Sequence, residues 1–320
     1  MCAGQLNVNV VFVVEGEEEV DSDGLWPALD AQSSWLESVD LVLVSNNCWV
    51  GEDQPCVTYG LRGVVHATVE VRGGTRDLHS GVHGGVVHEP MVDLCHLLSS
   101  LVSPQGHVLV PGFYEQVRPV SEDELRLYDQ IHMTAQQLRA EVGVSARSQP
   151  DPRAFLMQRW RQPTLSVHGF ESSLPSTDST LIPCWARASV SMRLVPDQAC
   201  ADQVKLLETH LRACFSTLLS PNALEFEVHH TGDWWLGDPH SEVFSAAAAA
   251  VRKVWGVSPL FVREGGTIPI TSMLERRLGA PGLHIPLGQS SDSAHLPNER
   301  IRMLNMANGR KLFAELFSLL

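Results

Sequence analysis

Residues 62–72 read RGVVHATVEVR, and the fold is decided there. Val65, Ala67, Val69 and Val71 alternate with His66, Thr68, Glu70 and Arg72, the period of two that puts apolar side chains on one face of a strand and leaves the other face to solvent or function. Such clean alternation belongs to an antiparallel sheet covered on one side. It recurs at Ala186, Ala188, Val190, Met192 and Leu194, and again where Leu224, Phe226 and Val228 interleave with Glu225, Glu227 and His229. Helical spacing fills about 86–101 and 201–219, the second with Val204, Leu207, Leu211 and Phe215 along one stripe. A strand-like segment lies at 165–170. Setting aside a Pro- and Gln-rich and helical insertion at about 103–160, the order is β-α-β-β-α-β, a split-βαβ or ferredoxin-like module. A compact α+β domain is therefore expected over 62–235.

On either side the pattern is α/β. The Val-rich run Asn7–Val14 predicts a buried strand, the spacing over Leu25–Leu36 a helix, and Val39–Ser45 a second strand, together a βαβ unit with parallel strands. After 235 come a helix over Ser241–Trp255, strands near Leu260–Val262 and Leu283–Leu287, and a helix over Asn305–Leu319. Segments 1–61 and 236–320 are expected to rejoin around the inserted module. Within the insertion, Ser121-x-x-Glu124 is a capping box that opens a helix.

The 320 residues carry 23 Lys+Arg against 37 Asp+Glu, a net charge of −14, which repels phosphate backbones and anionic lipid and makes nucleic acid an unsuitable partner. At 44% apolar and 19% charged residues the chain is too apolar for disorder. Its longest apolar stretches, Val10–Val14 and Ala246–Val251, fall far short of the roughly 20 residues of a membrane helix, so no membrane partner is expected. Seven cysteines, odd in number and never spaced CxxC, fit a reducing, cytoplasmic compartment better than a disulfide framework or zinc ribbon. The opening MCAGQLNVNVVFVVEGEEE lacks the positive flank of a signal peptide and runs straight into the first expected strand, an abrupt start that suggests further sequence upstream.

Three adjacent glutamates, Glu17 to Glu19, close that first run. Carboxylates at the end of a buried strand require positive compensation, and a metal supplies it. Glu18 and Glu19 point in different directions and could divide the work of ligand and general base; the alternative is a solvated acidic loop. His79, in DLHSGVHGG, and His295, in SSDSAHLPNE, sit on polar turns where substrates reach, whereas His83, His229 and His230 read as structural or surface residues. Arg263-Glu264-Gly265-Gly266-Thr267 reads as a strand leaving into a helix start whose free N–H groups favour an anion such as a peptide carboxylate. Arg193, on the polar face of its strand, could fork onto a carboxylate.

Taken in order, VVEGEEE (13–19), PCVTYGLRG (55–63), DLHSGVHGG (77–85), SMRLVP (191–196), REGGTIP (263–269) and IPLGQSSDSAHLPNE (285–299) resemble the metallopeptidases that include cytosolic nonspecific dipeptidase, carnosinase, aminoacylase and the glutamate carboxypeptidases. The resemblance implies a two-metal α/β catalytic domain interrupted by a lid and dimerisation domain, hydrolysis of dipeptides or small amide-linked amino acids, and two zinc or manganese ions. It implies Glu18 as general base and Glu19 and His295 as metal ligands. His79 becomes a lid histidine that reaches the partner subunit's site in a homodimer, and Thr180, Arg193, Gly265, Gly266 and Thr267 become substrate contacts. Two departures stand out: no HxD motif or bridging aspartate precedes the glutamates, and Asn46, in SNNCW, replaces an expected aspartate ligand. This chain alone is therefore expected to bind the metal pair poorly. The same segments resemble the branch containing the metallopeptidase-like subunit of the glutathione degradosome, which implies an amidotransferase-like partner and the alternative role of a catalytically impaired scaffold.

Overall fold

The structure, a computed structural model, describes residues 6–18, 22–134, 136–137, 151–176 and 179–320, with only the backbone of Ser33. The alternating runs become a four-stranded antiparallel sheet: β3 (Gly63–Arg72) lies between β7 (Trp185–Leu194) and β8 (Ala223–Gly232), and β5 (Thr164–Ser172) pairs with the far side of β7. Val65, Ala67, Val69 and Val71 are almost fully buried against helices α3 (Pro90–Ser99) and α6 (Cys200–Thr217), whose Leu94, Leu97, Leu207 and Leu211 supply the facing layer. In sequence order the strands stand 5-7-3-8, with both helices on one face and the other face open.

A second sheet joins the two ends of the chain. Its order is β1 (Val42–Val44), β11 (Gly282–His284), β2 (Cys56–Leu61), β10 (Leu260–Glu264), with β9 (Trp235–Leu236) also on β2. β1 runs parallel to β11 and β10 parallel to β2. All six residues of β2 are buried because both its faces are covered. On one side Val57, Tyr59 and Leu61 meet α7 (Glu242–Trp255) and α9 (Met303–Leu319) through Phe244, Ala247, Leu312 and Leu316. On the other, Cys56 and β10 meet Trp49, Tyr128, Leu156 and Trp160. Tyr128 belongs to α4 (Glu122–Asp129), N-capped by Ser121 Oγ accepting from Glu124 N at 3.1 Å, with the Glu124 carboxylate turned to arginines rather than to the reciprocal bond of a capping box; Leu156 and Trp160 belong to α5 (Pro152–Trp160). The insertion thus packs on the mixed sheet. Glu124, buried between Arg161 (3.1 Å) and Arg263 (2.8 Å), ties it there.

The expected opening βαβ unit does not form. Helix α1 (Leu25–Ala31) and β1 are present, but residues 6–15 have no regular secondary structure, and Phe12 and Val14 are 77% and 90% exposed. A strand exists only by pairing, and β1 takes β11 as its parallel neighbour instead.

The sheets meet at two chain crossings, where only Arg62 separates β2 from β3 and residues 233–234 separate β8 from β9. Gly63 is required there, since a Cβ at that position would lie 2.8 Å from Gly232 O and 2.9 Å from Trp234 N. The small pair β4 (Leu78–His79) and β6 (Leu181–Ile182) sits beyond the opposite end of the four-stranded sheet.

Candidate active site

A cleft of about 920 Å³ opens beyond the C-terminal ends of β1, β11 and β10, where open sheets with parallel strands place their ligand sites. Asn46, Cys48, Arg159, Glu264, Asp292 and His295 are among its lining. The His295 loop is held in an uncommon shape: Ser293, His295 and Asn298 all have positive φ, at 59°, 60° and 66°. Buried Asp292 fixes it by accepting from Arg302 Nη1 (2.5 Å) and Gln289 N (2.9 Å). Glu52 accepts from Ser290 Oγ (2.6 Å), Ser291 N (2.8 Å) and Arg302 Nη2 (2.7 Å). Burial opposes ionisation of Glu52, but the bonds from Ser290 and Ser291, with Arg302, outweigh it and hold the carboxyl below its usual range. Burial first, then the carboxylates of Asp292, Glu264, Glu299 and Glu52, push the Cys48 thiol up to about 11.

The glycine-turn end is cationic. Arg62 donates Nε to Gly265 O at 2.9 Å, and Arg193 donates Nη1 to Thr267 Oγ1 at 2.8 Å, tying the four-stranded sheet to the turn. Burial, with Arg193 and Arg159 nearby and only Glu264 opposing, pulls Arg62 down to about 10. Burial alone lowers Arg193, whose surroundings hold no paired carboxylate among the described residues. The N–H groups of Gly265 and Gly266 were expected to stand free for an anion; Glu264 Oε1 accepts from both, at 2.6 and 3.3 Å. The sequence offered no signal for this self-capping, nor for Arg62 or the Glu52–Arg302–Asp292 clamp, since each depends on contacts between segments far apart in the chain.

The structure brings Asn46 and His295 into the cleft and Arg193, Gly265, Gly266 and Thr267 into the adjoining turn. Glu18 is exposed and outside that lining, and Glu19 lies outside the described residues. His79 and Thr180 adjoin each other in the β4–β6 pair, Ser80 N donating to Thr180 O at 3.2 Å. The nine steps of β3 from Gly63 to Arg72, roughly 30 Å at 3.3 Å each, separate them from Arg193's end of the sheet.

The chain matches the model of peptidase family M20/M25/M40 over residues 3–318. It belongs to that peptidase family. Among M20 relatives, the Cys-Gly metallodipeptidase dug1 of Schizosaccharomyces pombe is 39% identical over 308 residues, 96% of this chain and 65% of the relative. The human Beta-Ala-His dipeptidase is 36% identical over 315 residues, 98% of this chain and 62% of the relative. The solved structure of the di-peptidase Dug1p from Saccharomyces cerevisiae superposes with a TM-score of 0.86 at 38% identity, covering 95% of this chain and 64% of that one. The chain thus spans just under two thirds of the length of these relatives.

Membership implies divalent-metal binding. The described residues do not fit a complete centre. Among them no three His, Cys, Asp or Glu side chains gather as ligands, whereas a catalytic zinc takes three. Asn46 turns its Oδ1 back onto Asn47 N at 2.5 Å, at a residue whose φ is 70°. The six described cysteines are free, and no described helix is long and apolar enough to cross a membrane.

Proposed function

We propose that the chain recognises dipeptides or small amide-linked amino acids by their free carboxylate, as part of a dipeptidase-type hydrolase that serves glutathione breakdown. One observation carries this: Arg193 reaches from the lid sheet to Thr267 at the glycine turn, half-buried and without a carboxylate partner among the described residues. A guanidinium held this way awaits an anion. In this reading 1–61 and 236–320 form the catalytic unit, and 62–235 the ferredoxin-like lid and dimerisation domain. Arg193 and Thr267 contact substrate, while Gly265 and Gly266 offer their N–H groups once Glu264 turns away; Thr180, beside His79, contacts the substrate of the second copy. Glu18 accepts the proton of the attacking water, and His79, far from its own cleft, serves that of the second copy in a homodimer. A zinc or manganese pair would require donors beyond Asn46, Glu19 and His295. The names of the relatives, Cys-Gly metallodipeptidase and Beta-Ala-His dipeptidase, support the substrate class.

Calorimetry with a dipeptide and its C-terminal amide tests the assignment. The free acid should bind at least about tenfold more tightly, one ion-paired hydrogen bond contributing roughly 1.5–3 kcal/mol, and Arg193→Ala should erase the difference. Equal binding of acid and amide by the unaltered chain would remove the basis for the proposal. Asn46 favours a second reading, a scaffold partnered by an amidotransferase-like subunit; binding without turnover would support it.

A further inference from the structure

Arg62 occupies the single position between β2 and β3, and both its backbone and its side chain grip the glycine turn. The backbone N–H donates to Gly266 O at 3.1 Å and Nε to Gly265 O at 2.9 Å, while Nη1 reaches Gln162 O at 3.3 Å, just past α5. In a planar trans peptide the carbonyl and the N–H that follows it point in opposite directions. Anchoring the carbonyls of Gly265 and Gly266 toward Arg62 therefore turns the N–H groups of Gly266 and Thr267 the other way, and Glu264 Oε1 accepts from Gly266 N on that side at 3.3 Å. We propose that Arg62 is a positioning residue for carboxylate recognition, one that touches no substrate and aims the N–H donors of the glycine turn at the ligand. The role presupposes that this turn is the carboxylate site.

The residue types fit this role. A Cβ on Gly265 would lie 3.0 Å from both Arg62 Nη2 and Arg159 O, so the missing side chain is what lets the guanidinium close on the turn. That guanidinium donates to main-chain carbonyls, Gly265 O on the mixed-sheet side and Gln162 O at the end of the insertion, and its planar fork holds the two at a fixed spacing. Strands paired into different sheets flank Arg62, so its own backbone is held at both ends. Arg193 approaches the turn differently, through the Thr267 hydroxyl, and remains the direct contact for an anion. Support of this kind decides whether donors sit within the tolerance that binding demands.

Two variants separate aim from charge. Glutamine carries its amide nitrogen the same number of bonds from the backbone as arginine carries Nε, so Arg62→Gln keeps a donor for Gly265 O and removes the charge; Arg62→Lys keeps a cation and puts a methylene at that position. Calorimetry of the full chain with the dipeptide Ala-Gly and its C-terminal amide reads the outcome. Arg62→Gln should hold the preference for the acid within about threefold of the unaltered chain, and Arg62→Lys should lower it at least about tenfold. In glycine-labelled protein, the NMR signal of the Gly266 amide should move on adding Ala-Gly to the unaltered chain and to Arg62→Gln, and stay in place in Arg62→Lys. A preference that survives in Arg62→Lys, or disappears in Arg62→Gln, would overturn the positioning role and leave the carboxylate reading standing. No preference for the acid in the unaltered chain would remove both.

Discussion

The two sheets cover their apolar faces differently. The four-stranded sheet is closed on one face by helices that follow its own strands in sequence, so Leu94, Leu97 and Leu207 seal it with local crossovers. The mixed sheet is covered on both faces: on one by α7, the crossover between its own β9 and β10, and by the C-terminal helix α9, and on the other by the insertion carried by the other unit. A layer assembled from nearby sequence is legible as a pattern, whereas a layer assembled from afar is legible only as the apolar stripe it needs. The unpaired Val-rich run at residues 6–15 is the sharpest instance, since its hydrophobicity is real but no described strand takes it as a neighbour.

That contrast can be broken where the insertion meets the mixed sheet. Glu124→Ala should cost about 3–5 kcal/mol, because it strands the guanidinium groups of Arg161 and Arg263 in a nearly dry interface. Chemical denaturation measures it, and a loss below 1 kcal/mol would mean that the insertion contributes little to the second sheet. In the self-contained unit, Leu207→Ala should cost about 3 kcal/mol as an ordinary cavity, with Trp fluorescence and far-UV dichroism reporting one transition. Separate transitions would show that the two sheets unfold independently.

Acid should weaken the mixed sheet selectively. His284 of β11 is fully buried, both ring nitrogens lack hydrogen-bond partners among the described residues, and burial pushes its pKa down to about 4. Above pH 6.5 the ring is neutral in both states and contributes no pH dependence. Between 6.5 and about 4 only the unfolded chain takes up the proton, so stability falls as pH falls, by about 2 kcal/mol at pH 5. His284→Leu should flatten that slope, and an unchanged slope would exclude His284 as its source. The smallest effect belongs to the exposed run. Phe12→Ser should move stability by less than about 0.5 kcal/mol while reducing self-association in light scattering, since a side chain 77% exposed has little burial to lose.

Much of this architecture could be read in advance because period and chemistry coincide. The alternation at 63–72, the stripe from Val204 to Phe215 and the N-cap at Ser121 each specify an element by local rules, and each element formed where expected, although Glu124 spends its carboxylate on Arg161 and Arg263 rather than on completing a capping box. The site was legible mainly as residues. His295, Arg193 and the glycine turn were visible as types on turns or polar faces, but their arrangement depends on rotamers and distant partners. Glu264 folding onto the N–H groups of its own turn, and Asn46 onto Asn47, satisfy backbone donors that a motif leaves unspecified. The ring contact between His66 and His230 was missed because the pairing of β8 with β3 skips His229, a bulge that reverses the face strict alternation assigns to His230.

The crossings flanking Gly63 and Gly232 give the molecule a mechanical property. The contacts of Arg62 with Gly265 and of Arg193 with Thr267 lie beside this fulcrum, whereas His79 lies beyond the far end of the four-stranded sheet. Over the roughly 30 Å of β3, a rotation of about 5° at the crossings would move the far end by about 2.5 Å while barely disturbing the guanidinium contacts, so both ends of the sheet are set by one pivot.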